Sequence, residues 1–149
     1  MTVTVRRLSK GDDTEAAEKL LVQFFREEAF STPESIIRSH CRKMAEVETC
    51  GLFLAKAAGE PSGVATVSMQ FGIEFGWLGE MGDLYVLPAR RRQGVARALV
   101  CGVEEFLRAR GATGYQITLT QHARVHGLRA FYTKLGFAQE GREILYRNL

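Results

Sequence analysis

The stretch from Glu80 to Leu99 constrains this chain more than any other. It opens with Glu80-Met81-Gly82-Asp83-Leu84-Tyr85-Val86, a run that suits a strand and stops at Pro88. Arg90-Arg91-Arg92-Gln93-Gly94 follows, and then Val95, Ala96, Leu99, Val100, Val103, Phe106 and Leu107 recur at helical spacing. A strand that delivers a glycine loop to a helix start is one way proteins hold phosphates. The N–H groups there have no partner inside the helix, and the helix dipole favours an anion. No Gly-Lys-Ser/Thr ends the loop, and no paired-glycine dinucleotide fingerprint precedes it. The residues Arg91-Arg92-Gln93-Gly94-Val95-Ala96 do fit Arg/Gln-x-x-Gly-x-Gly/Ala.

The rest of the composition is permissive. The 149 residues suit a single domain over 1–149 with a sizeable core, and 46% hydrophobic with 25% charged content is ordinary for a globular chain. A net charge of +3 accommodates an anionic ligand, but 17 acidic residues interleave with the basic ones, so nucleic acid is not expected as a partner. The N-terminus lacks the apolar region of a signal peptide, and no apolar run reaches membrane-spanning length. Cys41, Cys50 and Cys101 form no Cys-x-x-Cys pair, which fits reduced thiols and a cytoplasmic location.

Taken in order, the chain reads as a strand over Thr2–Leu8, then a helix from Asp13 to Ala29 carried by Ala17, Leu20, Leu21, Phe24 and Phe25. Ser31-Thr32-Pro33-Glu34 restarts a helix with a hydroxyl cap and Pro in its first turn. Its apolar face is Ile37, His40, Cys41, Met44 and Val47, where His40 reads as a helix residue rather than a catalytic one. Gly51–Ala57 and Val64–Phe71 read as strands joined by a turn over Ala58–Gly63, and Gly72–Gly76 leads into the central strand. Gly111 is placed to end the helix after the loop. A strand over Tyr115–Leu119, a helix bearing Leu128, Phe131, Tyr132 and Leu135, and a closing antiparallel pair over 137–140 and 143–147 complete the order. The expected fold is α/β: a mixed, mostly antiparallel sheet with one splayed parallel strand pair and helices on both faces.

Two stretches carry a family resemblance. Leu84-Tyr85-Val86-Leu87-Pro88 with the loop Arg91–Ala96 resembles the acetyl-CoA signature of the GNAT superfamily of N-acetyltransferases, and Phe131-Tyr132-Thr133-Lys134-Leu135-Gly136-Phe137 resembles the family's late helix. The element order matches that fold over nearly the whole chain. The resemblance implies acetyl-CoA as cosubstrate, with the pyrophosphate at Arg91, Arg92, Gln93, Gly94, Val95, Ala96 and Arg97 and the pantetheine amides along Leu84, Tyr85 and Val86. It also implies that Tyr132 is the acid that protonates the departing thiolate. The chain departs from the family at Val125 and Leu128, where many members have Asn and Ala; Arg124, His126 and Arg129 are candidate substitutes.

An aliphatic amine is mostly protonated near neutral pH, so acetyl transfer needs a base. Glu80 is the candidate, at a place where several GNAT members carry a carboxylate. Strand alternation would set it on one face with Gly82, Leu84 and Val86, with Asp83 and Tyr85 on the other. A backbone N–H of Leu84 or Tyr85 would polarise the thioester carbonyl. His122 and His126 lack a third ligand, so no metal is expected. Glu27, Glu28, Glu34, Glu74, Glu80, Glu140 and Glu143 fall on the segments expected to enclose the acceptor, which suits a cationic amine such as an aminoglycoside or polyamine. A non-catalytic acyl-CoA-binding module and a peptide N-acetyltransferase are the alternatives; a homodimer is compatible with either.

Overall fold

The computed structural model describes residues 2–120 and 127–149, which divide into two compact units, Met1–Ile117 and Thr118–Leu149.

The first unit is built on a five-stranded sheet in the order β1 (Val3–Leu8), β2 (Cys50–Ala57), β3 (Glu60–Gly72), β4 (Gly76–Val86), β5 (Tyr115–Gln116). The first three pairings are antiparallel and the last, β4 with β5, is parallel. Two helices, α1 (Glu15–Glu27) and α2 (Glu34–Glu46), lay Ala17, Leu20, Leu21, Ile37 and Cys41 against Leu52, Leu54, Val64 and Tyr85 on one face. The third helix, α3 (Val95–Ala109), covers the other face. Its approach is close: a Cβ on Gly63 would come within 2.9 Å of Val95, and one on Gly79 within 2.5 Å of Leu107. The mixed sheet with helices on both faces is therefore as expected.

The expected turn over Ala58–Gly63 is shorter than the sequence suggests. Ala57 pairs with Glu60, leaving a two-residue loop at Ala58 (φ 52°) and Gly59 (φ 80°). Two positive φ values match the twist of a hairpin, so β3 begins early and Pro61 sits where the register shifts. The second helix also starts differently: Pro33 is its N-cap, with no side-chain capping hydrogen bond from Ser31 or Thr32. His40 is exposed, and Ala45 takes the buried place on that face.

The two early helices are tied by Glu18, whose carboxylate is buried on α1. It accepts from Thr14 Oγ1 (2.6 Å) and pairs with Arg38 (3.4 Å) and Arg42 (3.3 Å) of α2. Gly111 ends α3 as expected: its N–H donates to Arg108 O and that of Ala112 to Leu107 O, the paired bonds of a left-handed glycine stop. The three cysteines are free thiols, and burial pushes Cys41 up to about 12.

In the second unit α4 (Leu128–Lys134) starts at Gly127 and ends at Gly136, with the same paired bonds, from Gly136 N–H to Thr133 O and from Phe137 N–H to Tyr132 O. The expected closing strand pair over 137–140 and 143–147 is absent. These residues make no ladder, and Ile144, Leu145 and Tyr146 are exposed. Alternation alone does not make a strand; it needs a neighbour to take its hydrogen bonds. The departures at Val125, Arg124 and His126, and the His122–His126 pair, lie outside the described residues.

Candidate active site

Strand β4 changes character halfway along. Gly79 and Glu80 pair with Tyr115 and Gln116 of β5, and Gly79 N–H donates to Gly114 O (3.2 Å). Beyond Glu80 no pairing with β5 is made, although Tyr115, Ile117 and Leu119 keep their half-buried alternation. The expected strand to Leu119 is thus cut to two residues, because β4 and β5 part company there. From Met81 to Val86 that edge of β4 pairs with no strand among the described residues.

The backbone direction along that edge follows from two hydrogen bonds. Leu87 N–H points back to Ser62 O of β3 (2.9 Å), and Val86 O accepts from Arg91 Nε (3.0 Å) on the opposite side. Since alternate residues of a strand turn their peptide groups to opposite edges, Leu84 and Val86 present N–H and C=O to the open edge, whereas Tyr85 turns toward β3. Of the two N–H groups considered for the oxyanion, that of Leu84 is the one facing outward.

The side-chain faces differ from the sequence expectation. Val67 pairs with Met81 and Thr66 with Asp83, so Gly82 is an extra residue and the strand bulges there. The bulge resets the alternation. Glu80, opposite Ser68, shares a face with Asp83, opposite Thr66, and with Tyr85, opposite Val64; Leu84 and Val86 lie on the other. Glu80 accepts from Gln116 Nε2 (3.3 Å) and borders a small cleft of about 120 Å³ with Ser68, Gln70, Leu78 and Gln116. Asp83 accepts from the hydroxyl of buried Thr66. Burial raises its pKa, and the Thr66 hydrogen bond offsets part of that.

The glycine loop is held by its own side chains. Pro88–Arg90 makes one turn of 3₁₀ helix, Arg92 takes φ 61°, and Gly94 caps α3 at φ 83° with nothing within 4 Å of where a Cβ would stand. Gln93 Nε2 reaches back to Ala89 O (3.2 Å). Arg91 is drawn inward to Val86 O, stands 5.8 Å over the Tyr85 ring, and pairs with Glu27 of α1 (3.5 Å). Its guanidinium braces the loop against the end of β4 while about half of the side chain stays exposed. Arg92 and Arg97 are exposed beside the open start of α3, where the N–H groups of Val95, Ala96 and Arg97 precede any partner within the helix.

Glu27, expected among the acids on the acceptor side, accepts from Tyr85 Oη (2.7 Å) and pairs with Arg91, from 58 residues earlier in the chain than Tyr85. No local pattern signals such a contact. Glu34 is likewise engaged, by Arg26 and Arg38. Among the described residues no cluster of three His, Cys, Asp or Glu is placed to hold a metal.

Tyr132 lies in the second unit, buried on α4 with the Phe131 and Phe137 rings at 5.2 and 5.5 Å. Burial pushes its pKa up to about 12, so the phenol keeps its proton throughout the neutral range.

A mixed sheet that parts between its one parallel strand pair, beside a glycine-capped helix start, places the chain in the α/β class. Residues 14–137 match the acetyltransferase (GNAT) family model, and the chain belongs to that family. No curated protein sequence is similar enough to count as a relative. Among solved structures, that of AAC(6')-Iy in complex with a bisubstrate analogue, CoA-S-monomethyl-acetylneamine, superposes with a TM-score of 0.85 at 20% identity, covering 100% of this chain and 99% of that one. An aminoglycoside acetyltransferase, HMB0005, from an uncultured soil metagenomic sample gives 0.78 at 24% identity over 100% and 98% of the two chains. A transcriptional regulator from Bacillus halodurans C-125 gives 0.77 at 26% identity over 99% and 100%. No described helix is long and apolar enough to cross a membrane.

Proposed function

We propose that this chain is an N-acetyltransferase that moves the acetyl group of acetyl-CoA to a primary amine of a small cationic molecule, an aminoglycoside or polyamine. The family match runs across the boundary between the two units, and we read residues 1–149 as one catalytic domain, working in the cytoplasm. The observation that carries the reading is the edge of β4 from Met81 to Val86, which no described strand pairs and which leads through the glycine loop to the start of α3, where no side chain caps the helix. An extended amide chain ending in a pyrophosphate matches that sequence of groups: peptide N–H and C=O of Leu84 and Val86, then the N–H groups at Val95, Ala96 and Arg97 with Arg92 and Arg97 beside them.

In this reading the amine nitrogen bonds to the thioester carbonyl carbon, and the carbonyl oxygen takes up negative charge that Leu84 N–H stabilises. Glu80 takes the ammonium proton, directly or through a water in its cleft. Collapse then breaks the carbon–sulfur bond, and Tyr132 donates its proton to the sulfur as charge develops there. The Glu80 carboxylate, placed to meet the amine in this reading, favours a cationic acceptor.

Thiol release from acetyl-CoA against a panel of aminoglycosides, polyamines, amino acids and peptide N-termini tests the reaction. Glu80→Gln should lower kcat/KM at least tenfold and remove the acidic limb of its pH profile. An unchanged limb eliminates Glu80 as the base. The likeness to a transcriptional regulator favours one second reading, an acyl-CoA-binding regulatory module. CoA binding by calorimetry with no turnover of any amine would support it.

A further inference from the structure

At the edge of the sheet away from β5, a groove of about 530 Å³ lies between β1 and α3. Its volume is that of a small-ligand pocket, within about 300–1,000 Å³. Its lining combines apolar Val3, Val5 and Phe53 with two cations, Arg7 and Arg110. Arg7 and Arg110 both stand over the Phe106 ring, their guanidinium carbons 4.9 and 3.9 Å from its centroid.

Two like charges gathered on one ring, each half-buried, call for a counter-charge, and the described residues do not provide one in contact. Arg7 donates from NH2 to the Cys50 carbonyl (2.9 Å) and Arg110 from NH1 to the Phe106 carbonyl (3.4 Å). Neither makes an ion pair with a described carboxylate, although Glu105 also lines the groove. Arg7 Nε is buried with no acceptor. A buried donor left unpaired is rare in folded proteins and marks a place where a partner is missing. Burial and then the charge of Arg7 depress the pKa of Arg110, with Glu48 offsetting part of the effect.

We propose that this groove binds a small organic anion, a carboxylate or phosphate carried on an apolar group, with its charge between Arg7 and Arg110 and its apolar part on Val3, Val5 and Phe53. Guanidinium forks suit both oxyanions, and an aromatic floor beneath them favours a ligand that brings apolar surface with its charge. β1 and β5 are opposite edges of a five-stranded sheet, about 20 Å apart at ordinary strand spacing. The site is therefore separate from the open edge of β4, and its existence does not depend on the acetyl-transfer reading.

Cys101 is exposed in the groove and reports on it directly. Its alkylation by iodoacetamide in the full chain, followed by peptide mass spectrometry, should slow at least fivefold with phenylacetate or phenyl phosphate and stay unchanged with 2-phenylethanol. The more protective anion tells carboxylate from phosphate. Arg110→Gln should raise the half-protecting concentration about tenfold, the loss expected for one charge-assisted hydrogen bond. Arg7→Gln should do the same; if it does not fold, Arg110→Gln decides alone. No protection, equal protection by the neutral alcohol, or unaltered protection in Arg110→Gln overturns the proposal.

Discussion

Two buried tyrosines, Tyr85 at the end of β4 and Tyr132 on α4, share a residue type and an upward pKa shift but differ in what holds the hydroxyl. Tyr85 donates to the Glu27 carboxylate, lies 5.3 Å from the Phe24 ring, and has Arg91 over its face. Burial comes first and the Glu27 hydrogen bond second in raising its pKa. Tyr132 sits between two phenylalanine rings, and burial alone accounts for its shift. A phenol already committed to a carboxylate is a brace. One that is kept neutral without such a commitment still has its proton, which the acid role proposed for Tyr132 requires.

The contrast can be broken by deletion of each hydroxyl. Tyr132→Phe should lower kcat about a hundredfold while leaving the fold intact, as expected for loss of a general acid. Near-normal turnover at saturating substrates would reduce Tyr132 to a packing residue and erase the distinction.

Alkaline unfolding sharpens the comparison next. A phenol with an ordinary value near 10 in the unfolded chain and about 12 in the fold adds stability that is fully present below pH 10. It is lost as pH rises from 10 to 12, on the order of 2 kcal/mol across that window. Urea midpoints of Tyr132→Phe should therefore fall less between pH 9 and pH 12 than those of the parent protein.

Tyr85→Phe should cost about 1 kcal/mol at pH 7, since Glu27 is partly exposed and regains water when it loses the hydroxyl. Its kcat should stay within about threefold of the parent, far from the loss expected at Tyr132.

The smallest effect concerns the helix that carries Glu27. Ala29 takes φ 57° just after α1, where its N–H and that of Phe30 make the paired bonds to Arg26 O and Phe25 O that glycine makes after α3 and α4. Ala29→Gly should stabilise the protein by about 0.5 kcal/mol, read as a small rise in Tm, because left-handed strain is relieved and partly offset by greater freedom of the unfolded chain.

Much of the fold was legible where a local rule has one outcome. The stripes of α1 and α3, the strand–loop–helix at Glu80–Leu99, and the glycine stops at Gly111 and Gly136 all follow from periodicity and positive φ, and the structure has them. Glu80 as a residue of the central strand was legible as well. Its companions were not: a single extra residue at Gly82 put Asp83 and Tyr85 on its face in place of Leu84 and Val86, and nothing in the strand pattern marks a bulge. Arg91 reads as a phosphate ligand in a run of arginines, and its pairing with Glu27, a carboxylate far away in sequence, was not legible there.

By itself the sequence determined the elements, the glycine loop and the family signature, because helical spacing, capping and turn chemistry act over a few residues. Tertiary structure alone decided where β4 leaves β5, which peptide groups face the opening, and which acid meets Tyr85. Those outcomes depend on how strands register and on partners tens of residues apart, and a local pattern holds no information about either.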